Sequence, residues 1–222
     1  MAIALIASTP VTGTSITTAA LNVTFGATIA AGSDIVVTAN TNGSGTNGTV
    51  IDTQGNTYVQ EVLGTSTNVE QTEVFVCHNS AHTVTTSDHI TYTNASASRK
   101  SVSMEGLSGV VAIGITGTSS GASGTRTISI VTPDANDWVA GGFCSAGTTS
   151  YTASTGNLRT QGSSSTTLVG CLMDNTAASA GSVIIAATGP TGIWSAAVVV
   201  LRSTTGATPN WYGWKVTSTP NW

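Results

Sequence analysis

Three histidines fall close together in the chain, His78, His82 and His89, with Cys77 and Asp88 beside them. Imidazole, thiolate and carboxylate are the groups that zinc binds. A hairpin with strands at 70–77 and 89–94 would place His78 and His89 at the two ends of its loop. The spacing follows no Cys/His zinc pattern, so the reading without metal is preferred. Five carboxylates, Asp52, Glu61, Glu70, Glu73 and Glu105, lie on or beside segments of strand character. A glycosidase needs two such groups about 5–10 Å apart, beside rings that hold the sugar. Aromatic residues are few before Trp138, which weakens that chemistry. No Gly-x-Ser-x-Gly nucleophile elbow is read in the chain. Gly43-Ser-Gly-Thr-Asn-Gly48 has the spacing of a dinucleotide loop, but it runs into another strand, Thr49–Thr53, where a helix is required. It is read as a turn. Asp134 and Asp137 could bind calcium from a loop; two ligands are too few, and a Pro-Asp turn before Trp138 is the simpler reading.

The elements that must position these groups are strands. Lys and Arg total 6 and Asp and Glu 10 in 222 residues, so 7% of the chain is charged, against about 25% in most soluble domains. Thr (41) and Ser (27) place a small hydroxyl at 68 positions, and Val (22) and Ile (14) outnumber Leu (8). β-Branched side chains suit a pleated surface. Six cations at net charge −4 cannot neutralise a phosphate track, which excludes nucleic acid as a partner. A chain that is 40% hydrophobic is poorly suited to disorder. No run reaches the length of a membrane helix. The N-terminal Met1–Gly13 has no cation before its apolar run, so it reads as a first strand and not as a secretory signal. Cys77, Cys144 and Cys171 have no short spacing and form no disulfide framework, although one pair could be joined.

Period-2 alternation marks strands at about 2–8, 20–25, 34–39, 48–53, 57–63, 70–77, 89–94, 100–106, 126–131, 137–144, 166–173, 182–187 and 193–201. Ile128 and Ile130, for example, oppose Thr127 and Ser129. Leu168–Met173 and Ala196–Leu201 are apolar on both faces, which places them centrally or at a subunit contact. This many short strands with frequent turns indicates an all-β protein. The expected fold is an antiparallel two-sheet β-sandwich, jelly-roll-like, over residues 1–202, followed by an extended C-terminal tail over 203–222. With so little charge to keep molecules apart, the chain is expected to live in an assembly.

The tail carries three of the five Trp and repeats Thr-Pro-Asn-Trp at 208–211 and 219–222. Its prolines favour extended backbone. It is either a final strand on its own sandwich or an arm whose indoles fill pockets on a neighbour; the arm is favoured, because Trp is enriched at interface hot spots. The partner-binding residues expected are Trp211, Tyr212, Trp214 and Trp222, with Ile3, Leu5 and Ile6 at the other terminus.

Val50-Ile-Asp-Thr-Gln-Gly-Asn-Thr-Tyr58 resembles a recurring element of bacterial and phage β-sandwich modules: a strand ending in Asp, a Gly-Asn turn, and a return strand opening with Thr-Tyr. Ser103-Met-Glu-Gly-Leu-Ser-Gly109 is similar to a later strand of those modules, with Gly106 where they carry an aromatic residue. Asp137-Trp-Val-Ala-Gly-Gly-Phe143 resembles the next shared strand. Together these cover about residues 48–145. The resemblance implies a jelly-roll-like sandwich of the kind found in phage virion proteins, and it carries no catalytic residues. The expectation is therefore a structural virion protein, an outer capsid decoration (cement) protein, with no enzymatic activity and no cofactor. It would be made in the host cytoplasm and sit on the capsid surface as a homotrimer bound to the major capsid protein. The alternative is a glycan-binding module of a phage fibre or a secreted bacterial protein, with Trp138, Trp194 and the tail Trp on one exposed face.

Overall fold

The computed structural model describes residues 2–17, 20–42, 47–67, 70–122, 125–147, 149–164 and 167–203. Among them every regular element is a strand. The first half of the chain holds β1 (Ala4–Leu5), β2 (Val11–Ser15), β3 (Leu21–Thr24), β4 (Asp34–Thr41), β5 (Thr49–Asp52), β6 (Val59–Thr65), β7 (Gln71–Cys77), β8 (His89–Thr93) and β9 (Lys100–Ser108). The second holds β10 (Val110–Gly121), β11 (Arg126–Thr132), β12 (Trp138–Ser145), β13 (Thr152–Thr155), β14 (Asn157–Ser164), β15 (Leu168–Thr176), β16 (Gly181–Thr188) and β17 (Trp194–Ser203).

All strand pairs are antiparallel and fall into four sheets. A large sheet of order β2-β9-β4-β7-β6, with β1 beside β2 on the edge of β9, faces a small sheet β3-β8-β5. A second large sheet, β10-β17-β12-β15-β14, faces a second small sheet, β11-β16-β13. The antiparallel all-β sandwich expected from the sequence is present, but residues 1–202 form four sheets where two were expected, because one strand order occurs twice. When β2–β9 and β10–β17 are each counted one to eight, both large sheets run 1-8-3-6-5 and both small sheets run 2-7-4. This is the jelly-roll order of two Greek keys, with the fifth strand paired to the sixth in the large sheet. The change of half falls at Gly109, whose φ of +84° and close approach to the Ala2 carbonyl favour glycine.

Three apolar cores separate the four layers. Val23, Ile35, Val37, Phe75, Ile90 and Met104 fill the first sandwich. Ile128, Ile130, Phe143, Val169, Ile185 and Trp194 fill the second. The third core lies between the two large sheets, where Val36, Val74, Val76 and Leu107 meet Trp138, Ala140, Val199 and Leu201. The alternation that builds these layers is legible on single strands. On β11, Arg126, Ile128, Ile130 and Thr132 are buried while Thr127, Ser129 and Val131 are exposed. The two-sided apolar runs sit in β15 and β17, covered on one face by their own sandwich and on the other by the first half of the chain.

Candidate functional site

At the end of β5 the Asp52 carboxylate organises the turn that follows. Its Oδ1 accepts the Gln54 and Asn56 amides at 2.9 and 3.0 Å, and its Oδ2 accepts Asn56 Nδ2 at 2.9 Å and the Tyr58 hydroxyl at 3.1 Å. Gly55, at φ +80°, turns the chain where a side chain would be strained. Asn56 ties the turn to the next loop, donating to the His82 carbonyl and accepting the His82 amide. Asp88 fastens the same loop from the other side. It accepts Gln54 Nε2 and the Thr53 hydroxyl at 2.7 Å each, with the Thr85 amide and hydroxyl on its second oxygen. These bonds, the Gln54 side chain first, hold the Asp88 carboxyl well below the usual range. Burial, followed by the Asp52 charge, pushes the Tyr58 phenol up.

The six residues of this turn separate β5 from β6, which enter different sheets. Between them opens a groove of about 490 Å³, walled by Gly48–Ile51 on one side and Asn56–Tyr58 and Gln60 on the other, with Phe75 as its apolar floor. Beside it the buried Glu73 carboxylate accepts the Tyr92 hydroxyl at 2.5 Å, the Gly48 amide at 2.7 Å and Gln60 Nε2 at 2.9 Å. Burial raises its pKa and these donors partly offset the rise. The groove is thus an aromatic and hydroxyl-lined slot braced by two carboxylates whose lone pairs are already used.

The residues singled out for chemistry are dispersed by the fold. His78 Nδ1 pairs with Asp34 Oδ1 at 2.5 Å, while His82 and His89 engage Asn56 and Thr53 through their backbone amides. Among the described residues no three His, Cys, Asp or Glu side chains are grouped to hold a metal. Of the carboxylates, Asp52 braces its turn, Glu70 accepts the Ser66 hydroxyl, Glu73 lies inside the first sandwich, and Glu105 lies between the two large sheets. Asp134 pairs with Arg202, and Asp137 accepts the Ser203 amide at 3.0 Å, so the Pro-Asp turn clamps the end of β17. Gly48 of the glycine-rich string donates to Glu73; residues 43–46 of it lie outside the described residues. A second string, Gly117-Thr-Ser-Ser-Gly121, has the Gly-x-Ser-x-Gly spacing, but it is extended within β10. Cys77, Cys144 and Cys171 are free and buried, and burial pushes the Cys77 and Cys171 thiols up to about 12.

The interface residues expected from the sequence divide by terminus. Ile3 is buried in the core between the large sheets. Leu5 packs half-buried against that core and Ile6 against the core of the first sandwich. These contacts come from β1 pairing with β9 of the same chain. Trp211, Tyr212, Trp214 and Trp222 lie outside the described residues. Trp138 and Trp194 are buried, the first beneath the Arg159 guanidinium and the second against Phe143, so neither presents a ring to a sugar. The groove itself was not foreseen from the sequence. The Asp52 turn was visible there as a motif, but alternation alone does not reveal that it splays the strands it joins. Compared with protein-family models, with curated proteins and with solved structures, the chain finds no match.

Proposed function

We infer that this chain is a structural component of a bacteriophage particle, an outer capsid decoration protein that braces the shell. The observation carrying this reading is the use made of its polar groups. Among the described residues Asp52, Asp88, Asp134 and Asp137 are engaged in turns and Asp174 and Arg159 with each other between the large sheets, and the product is a four-layer brace with hydroxyl-rich outer strands. From the middle of that brace β17 ends at Ser203 and leads into the Trp-rich 204–222. A rigid body with an aromatic arm suits attachment to capsid protein and to further copies of itself, because apolar burial of roughly 25 cal/mol per Å² is multiplied over symmetric contacts. Few charges at such contacts mean little desolvation cost. In the test, full-length protein and a chain ending at Ser203 are each added to undecorated shells, and occupancy is read by cryo-electron microscopy. Full-length protein should decorate and the shortened chain should lose at least tenfold in occupancy. Equal occupancy would remove the arm from the reading, and failure of the full-length protein to bind would remove the capsid.

A glycan-binding module keeps one support, the groove beside Tyr58 and Gln60. The burial of Trp138 and Trp194 takes away two of the rings on which that alternative relied. Retention on immobilised polysaccharide, lost in Tyr58→Ala, would move the reading to it.

A further inference from the structure

The two sandwiches share a strand order but treat the gap between their fourth and fifth strands differently. In the second half, Gly156 alone separates β13 from β14, and Ala153 and Leu158 pack down onto the core. Tyr151, the residue before β13, is buried there against Phe143. The Gln161 side chain on β14 grips its backbone, accepting the Tyr151 amide at 2.7 Å and donating to its carbonyl at 3.3 Å. In the first half the residue before β5 is Gly48, the turn is six residues long, and the gap stands open as the groove over Phe75. Gln60, on the strand equivalent to β14, lines it. Its Nε2 is held by Glu73, and among the described residues no hydrogen bond engages its Oε1. In the second half an aromatic side chain ahead of the fourth strand is thus clasped by a glutamine, whereas in the first half the Tyr92 ring packs beside Gly48 and over Phe75, and the slot next to it stays open with Gln60 in its wall.

We propose that this groove receives an aromatic side chain of the chain's own segment 204–222. That segment has the required chemistry: Trp211, Tyr212 and Trp214 among Thr, Asn and Pro, in a sequence whose two Thr-Pro steps favour extended backbone. It also starts at the right end of the molecule. Val59, at the start of β6, pairs with Val76, and Val76 shares the middle core with Leu201 near the end of β17. Trp211 is eight residues beyond Ser203, a reach of up to about 26 Å in extended chain. The slot then supplies an apolar floor for the ring and Gln60 Oε1 for a backbone N–H, as Gln161 does for Tyr151. This inference rests on reading 204–222 as a pocket-filling arm, and it adds the pocket.

The experiment is photo-crosslinking of the purified full-length chain. p-Benzoylphenylalanine replaces Thr57 in the groove wall or, as a control, Val131 on the outer face of the second small sheet, and mass spectrometry maps the products. Crosslinks from position 57 to 204–222, with at least tenfold lower yield from position 131, are expected. The Trp211→Ala/Trp214→Ala double variant should reduce the yield from position 57 at least fivefold. The proposal is overturned if position 57 gives no crosslink to 204–222, or no more than position 131 does. No capsid is present, so a negative result here beside loss of decoration in the shortened chain would discard the groove and keep the arm.

Discussion

Glu105 is the residue whose chemistry is most altered by where it sits. It is fully buried between the large sheets, facing Asp174 and the Trp138 indole, and no described group meets hydrogen-bond geometry with either of its oxygens. Asp174 has better partners: Asn157 Nδ2 donates to it at 2.9 Å, and Arg159 pairs with it while lying over Trp138. One guanidinium thus serves two carboxyls, and the second negative charge is the costly one. Burial first, and then the Asp174 charge, raises the Glu105 pKa well above the ordinary 4.5. A carboxyl raised in the folded state binds its proton more tightly there than in the unfolded chain. Its contribution is complete below the unfolded pKa and is lost as pH rises toward the folded one. Asp34, Glu73 and Asp137 are raised by burial as well and add the same sign. Glu105→Gln should therefore match the parent near pH 4.5 and exceed it increasingly above. Each pKa unit is about 1.4 kcal/mol, so a Tm advantage of at least about 3 °C at pH 8 is expected from thermal melts. Parallel curves from pH 5 to pH 8 would show that Glu105 is ionised in the folded chain.

At the scale of elements, the strands with β-branched alternation were legible in the sequence, and those without it were not. Arg126–Thr132 and His89–Thr93 alternate cleanly and form β11 and β8. The segments of β2 and β14, Val-Thr-Gly-Thr-Ser and Asn-Leu-Arg-Thr-Gln-Gly-Ser-Ser, are too polar to show a face. They are half-exposed edge strands paired on one side, where backbone hydrogen bonding rather than apolar burial sets the structure. β10 was hidden by its Gly/Ser-rich end, which reads as a turn, and by bulges that break its register with β17. The stacking of the large sheets was not legible either, because it depends on small residues rather than on large apolar ones. A Cβ on Gly170 would lie 2.4 Å from Asn40 Cβ in the facing sheet, and one on Gly64 would lie 2.2 Å from the Ala196 carbonyl. Asn40 uses that proximity, donating to the Cys171 carbonyl at 3.3 Å. Gly170→Ala should therefore cost about 1–3 kcal/mol by overpacking, read as a lowered urea midpoint. Adding Asn40→Gly, which removes the facing Cβ, should cost less than the sum of the two single changes. Full additivity would mean that the sheets separate easily at this point.

For the whole molecule, the shortage of charge has an internal explanation. The two-sided apolar strands that suggested a subunit contact are covered by the other half of the same chain, so part of the assembly expected from composition is intramolecular. The covered face is mixed. Beside Val36, Val74 and Val76 it buries Thr38, Asn40, Thr72, Ser101 and Ser103, and the Thr72 hydroxyl bonds the Ser195 carbonyl at 3.2 Å across the layers. These groups are satisfied or excluded from water only while both sandwiches are in place. An isolated first half would expose an apolar stripe flanked by β-strand edges, a surface that invites association. The two jelly rolls should accordingly behave as one folding unit despite their repeated topology. Calorimetry of the full chain should give a single transition with equal calorimetric and van't Hoff enthalpies. Residues 1–108 expressed alone should dimerise or aggregate. A folded, monomeric 1–108, or two resolved transitions in the parent, would mean that each sandwich is self-sufficient. The middle layer would then be a docking surface between finished domains, and burial of Glu105 and Asp174 within it would have to be offset by the Arg159 and Asn157 contacts alone.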